Sequence, residues 1–121
     1  MSDNIKSENS QLARLVIQAL EDKKATDIRV IDISEVSVLA DYFVIANGSN
    51  KNQISAMMDA VEEAMTKAGH PARQIEGREG AGWILLDFGD VIVHIFDEKD
   101  RLLYDLERIW RDGKQIDPEG L

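Results

Sequence analysis

Residues 41–49, DYFVIANGS, run through consecutive apolar side chains and stop at Asn-Gly-Ser. A strand with one wet face alternates apolar and polar residues, whereas a strand covered on both faces reads as a continuous run. The stretch is therefore expected to be a central strand, and the rest of the chain has to cover both of its faces.

The flanking segments are read by their periods. Leu12, Leu15, Val16, Ala19 and Leu20 follow the i, i+3, i+4, i+7, i+8 spacing of an amphipathic helix, expected over about 9–24. DIRVIDI (27–33) alternates Ile28 and Val30 against Arg29, Ile31 and Ile33, a β-branched strand pattern, and SEVSVLA follows as an irregular link. Ile54, Met57, Met58, Val61, Met65 and Ala68 repeat at helical spacing, with Ser49 or Asn50 available as N-cap and Gly69 with Pro71 to end the helix. The methionines on that stripe read as core filling.

Further on, PARQIE reads as a short strand, and GWILLDFG and DVIVHIF as an antiparallel hairpin turning at Gly89-Asp90. In DEKDRLLYDLERIW, residues Leu102, Leu103, Leu106, Ile109 and Trp110 form a helical stripe with Asp97 as N-cap, and the tail 113–121 is expected to fray. The order αββαβββα implies a single α/β domain over 1–121, with an ordered core at about 9–112. Its mixed sheet of about five strands is flanked by helices, with no internal repeat or linker.

Composition narrows the functions. A chain of 121 residues should bury roughly two-thirds of the surface its unfolded form exposes, so neither disulfide nor metal is required to hold it. It has no cysteine, which removes thiolate chemistry and sulfur ligands. The first ten residues are polar and no apolar run reaches spanning length, so no membrane association is expected and the location expected is cytoplasmic. A net charge of −9 repels phosphate backbones and argues against broad nucleic-acid binding. Between Glu76 and Asp100 stand seven acids against two bases, an excess that suits either a solvated surface or a basic partner.

The glycines at 77, 80, 82 and 89 precede strands instead of joining a strand to a helix, so they read as loop and turn residues and not as a phosphate cradle. Gly48-Ser49 does join a strand to a helix, as in the glycine-serine turn of nucleotidyltransferases. Such enzymes also need a D-x-D/E acid pair for two magnesium ions, and the acids near at hand, Asp87 and Asp90, are three apart across a turn. A capped strand-to-helix turn is the plainer reading, with a nucleotidyltransferase-like enzyme using Gly48, Ser49 and one of these acids as the alternative. No catalytic residue, metal or cofactor is expected. His94 shares a strand face with Ile92 and Phe96 and reads as a hydrogen-bonded structural histidine. Trp83 shares a face with Leu85 and Asp87, opposite Ile84, Leu86 and Phe88, and two readings are open: a core residue under a helix, or an interface anchor rimmed by acids.

Three segments, ADYFVIANGSNKNQI (40–54), GWILLDFGDVIVHIF (82–96) and RLLYDLERIW (101–110), resemble the ribosomal silencing factor family, also called Iojap, over about Leu12 to Trp110. The resemblance implies a mixed α/β domain distantly like a nucleotidyltransferase but without its catalytic acids. It implies binding to the large ribosomal subunit through that subunit's basic protein numbered fourteen, blocking subunit joining and damping translation under nutrient limitation, without catalysis. Carried over to this chain, it implies contacts at Trp83, Ile84, Leu85 and Asp87, with Glu76, Asp90 and His94 nearby and Arg101 and Tyr104 at the edge. A homodimer of the free protein is compatible with such a role.

Overall fold

The computed structural model describes residues 2–35, 40–77, 82–99 and 114–116, with side chains described over 8–35, 40–77 and 82–99 and at Ile116. The elements are α1 (Ser2–Asp22), β1 (Thr26–Asp32), β2 (Tyr42–Gly48), α2 (Lys51–Lys67), β3 (Gln74–Glu76), β4 (Trp83–Asp87), β5 (Val91–Asp97) and β6 (Lys114–Ile116). They build one mixed sheet in the order β3-β4-β5-β2-β1-β6. The parallel pair β2 and β5 stands at its centre, and every other neighbouring pair is antiparallel.

The apolar run at 41–49 is the central strand its composition requires, since all of β2 except Phe43 is buried. One face of the sheet carries Val30, Val44, Ala46, Leu86, Val93 and Ile95, and α1 and α2 cover it with Val16, Leu20, Met57, Val61 and Met65. Met57 and Met65 are fully buried and fill the core, each contributing about 1.5–3 kcal/mol by leaving water, while Met58 packs half-buried against it. Helix α2 starts at Asn50, whose side chain accepts the Gln53 N–H. It ends in a Schellman turn: the Gly69 N–H reaches the Thr66 carbonyl, and the His70 N–H reaches that of Met65.

The structure differs from the sequence expectations in several places. Helix α1 begins at Ser2, not near Asn9. Asn9 is buried inside it and donates its amide to Asp41 Oδ2 at 2.8 Å, fastening the helix to the entry of β2. Leu15, assigned to the apolar stripe, is 40% exposed, and Ala13 and Ile17 take the inward positions. Residues 114–116, inside the tail expected to fray, instead form β6 along the free edge of β1. That adds a sixth strand to the five anticipated. Of the helix expected over 97–110, Asp97 closes β5 and its Oδ1 accepts the Lys99 N–H at 3.0 Å, while 100–110, with Arg101 and Tyr104, lie outside the described residues.

Candidate binding face

The two-residue turn at Gly89-Asp90 fixes the geometry of everything beside it. The Phe88 N–H reaches the Val91 carbonyl at 3.0 Å across the turn, so β4 and β5 pair with Trp83 opposite Phe96, Leu85 opposite His94 and Asp87 opposite Ile92. Opposed residues in a ladder share a face. Following the register outward, Glu76, Leu85, His94, Ile45 and Arg29 form one row across the sheet, and Gln74, Asp87, Ile92, Phe43 and Ile31 form the next. These rows lie on the side away from α1 and α2. There Ile31, Ile33, Ala40, Ile45 and Phe96 make a second apolar cluster, with Phe43, Trp83 and Ile92 packed half-buried against it.

Burial on this face falls from the middle of the sheet toward β3. His94 and Phe96 are buried, Trp83, Leu85 and Asp87 are half-buried, and Glu76 and Asp90 are exposed. The aromatic rings are ordered with respect to one another. The Trp83 indole is nearly parallel to the Phe96 ring, 15° apart at 5.6 Å, and the Phe43 ring meets His94 edge-on at 5.1 Å. Trp83 Nε1 donates to His94 Nδ1 at 3.0 Å. Burial pushes the His94 pKa down from 6.5 to about 4, so at neutral pH the imidazole is uncharged and its Nδ1 lone pair accepts this bond.

Of the residues expected to make contact, the structure brings Trp83, Leu85, Asp87, His94 and Glu76 onto one face. Ile84 is a correction: it points the other way, 4% exposed in the helix-covered core, because side chains alternate along a strand. Asp87 Oδ1 accepts the Gly89 N–H at 2.8 Å, so this carboxylate braces the hairpin turn as well as facing outward. Asp90 sits at the turn itself, and its carbonyl accepts the N–H groups of Asp41 and Tyr42, joining the hairpin to β2. Phe43 and Phe96 belong to the same cluster on this face and are not among the contacts expected from sequence. The two-residue turn and the strand alternation carried the signal for Phe96.

The Gly48-Ser49 turn is closed by its own groups. The Ser49 N–H and Oγ–H both donate to Gln53 Oε1, at 2.7 and 2.8 Å, and Gln53 Nε2 donates to the carbonyls of Lys23 and Lys24 at the end of α1. Gly48 is glycine for packing: a Cβ there would stand 2.5 Å from Ile54 Cγ1, so the strand end is pressed against α2. Both Ser49 donors are thus spent on Gln53, whose amide in turn ties α2 to the end of α1. Gln53, four residues after Ser49, was the unread signal. Among the described residues no three His, Asp or Glu side chains come close enough to hold a metal ion. No described helix is long and apolar enough to cross a membrane.

These features define a mixed-sheet α/β domain with one helix-covered core face and one aromatic face that opens toward acids at the sheet edge. Residues 6–121 match the family model described as ribosomal silencing factor during starvation. The ribosomal silencing factor of Halalkalibacterium halodurans is 34% identical over 113 residues, 93% of this chain and 97% of that protein. The crystal structure of a Chromobacterium violaceum protein, 35% identical, superposes with a TM-score of 0.80 over 84% of each chain. A mouse protein named for mitochondrial assembly of the ribosomal large subunit is 28% identical over 99 residues, 79% of this chain and 43% of its own length. The chain belongs to the ribosomal silencing factor family.

Proposed function

We propose that the protein docks in the cytoplasm on the large ribosomal subunit, through that subunit's basic protein numbered fourteen, and stands where the small subunit would join. Translation is thereby repressed when nutrients are scarce. The observation that carries this reading is the graded face: in a chain of this family, half-buried Trp83 and Leu85 lead outward to the acids Glu76, Asp87 and Asp90. A half-buried aromatic is the kind of side chain that anchors an interface, and an acidic rim attracts a basic surface over distance. The family resemblance adds Arg101 and Tyr104 to the proposed contact, and His94 supports Trp83 from beneath.

The magnitudes are compatible with occupancy in a cell. A micromolar dissociation constant corresponds to about −8 kcal/mol, and truncating one tryptophan hot spot costs roughly 2–4 kcal/mol of binding. The acids contribute mainly to the rate of encounter and to choice of partner.

Co-sedimentation with purified large subunits at increasing salt tests the reading. Affinity should fall with ionic strength, and the double reversal Glu76→Lys with Asp90→Lys should weaken binding about tenfold at low salt, with the difference closing at high salt. Binding indifferent both to salt and to the reversal would overturn the electrostatic half of the proposal.

A further inference from the structure

An indole N–H on a half-buried tryptophan has to find an acceptor, either inside its own protein or on whatever covers it. In this protein it is met from inside, by His94 Nδ1 at 3.0 Å. The acceptor is enclosed by other rings. His94 is 2% exposed, with the Phe43 ring edge-on at 5.1 Å and the Phe96 ring 14° from parallel at 6.5 Å. An imidazole accepting at Nδ1 carries its proton on Nε2, and burial keeps it neutral through the physiological range. Turning the indole over would carry Nε1 away from this lone pair, so the bond selects one orientation of the ring.

We propose that His94 is the positioning residue of the docking face: by tying the Trp83 N–H inward it fixes the indole in one orientation and presents the partner with an apolar ring edge that asks for no hydrogen bond. The proposal rests on the docking reading above and sharpens it. The group seated against Trp83 is then an aliphatic side chain or the methylene stem of a lysine or arginine, with its charged head free to reach the acids of the sheet. The charged residues on this face beside His94 are Glu76 of β3, Asp87 of β4 and Arg29 of β1. They form the polar surround, and His94 holds the ring.

Two variants separate positioning from mere filling of space. His94→Phe keeps a flat ring but no acceptor, and His94→Asn places its Oδ1 where Nδ1 stands. In a nitrogen-15 NMR spectrum the Trp83 indole signal is identified by its absence from Trp83→Phe. It should exchange with solvent slowly in the wild type, about tenfold or more faster in His94→Phe, and slowly again in His94→Asn. Affinity for large subunits should follow the same order, falling about tenfold in His94→Phe and returning to within about twofold in His94→Asn. Equal exchange in wild type and His94→Phe overturns the positioning role, as does undiminished docking by a folded His94→Phe. A wild type that holds its indole N–H but never sediments with subunits sinks the docking reading instead, so the two failures are told apart.

Discussion

Gly77→Ala is expected to lower the free energy of unfolding by about 3 kcal/mol, the sum of a left-handed backbone penalty and a steric shift in a packed sheet. Gly77 has φ +76, and a Cβ at this position would lie 2.0 Å from the carbonyl oxygen of Trp83. Backbone meets backbone there, so no side chain can swing aside. To admit a methyl group, the end of β3 must lift off β4 at the residue where Trp83 enters the sheet. Gly69→Ala is the internal control, because that residue has a similar φ of +87 but nothing within 4 Å of its Cβ position. It should cost only about 1 kcal/mol. Urea unfolding of both variants checks the difference, and equal midpoints would mean that the approach of Gly77 to Trp83 constrains nothing.

The second large effect is linked to pH. The folded His94 has its pKa pushed down to about 4 by burial, against 6.5 when exposed. Above pH 6.5 the imidazole is neutral in both states and costs nothing. As pH falls below 6.5 the unfolded chain binds a proton that the folded protein refuses, so stability is lost progressively until the folded group titrates near 4. At about 1.4 kcal/mol per pKa unit the total is about 3 kcal/mol. His94→Phe removes this linkage while keeping every carboxylate. The loss of stability between pH 7 and pH 4 should therefore be smaller in the variant by about 3 kcal/mol. Parallel curves for the two proteins would show that His94 takes up its proton as readily folded as unfolded.

Much of this structure could be read from residue patterns because burial imposes them. The unbroken run marks β2 as a strand covered on both sides, and the alternation in β4 and β5 separates Trp83, Leu85 and His94 from Ile84 and Val93. Leu15 was misassigned because an apolar residue at a permitted spacing can lie at the margin of a helical stripe, and only packing decides which margin turns inward. Strand β6 could not be seen, since Lys-Gln-Ile has a single apolar residue and owes its conformation to the open edge of β1, far away in sequence. The Trp83–His94 bond depends on two side chains meeting diagonally across a hairpin, which alternation permits but does not require. The lock between Ser49, Gln53 and α1 likewise joins local capping to a distant helix end.

The central claim is that an occupied large subunit cannot take on its partner, and subunit joining followed by light scattering tests it directly. Large subunits saturated with the protein, then mixed with small subunits, should form few complete ribosomes. The same experiment with Leu85→Glu, which sets a carboxylate in the middle of the half-buried face, should restore joining. Normal formation of complete ribosomes while the wild-type protein remains bound to the large subunit would contradict the account.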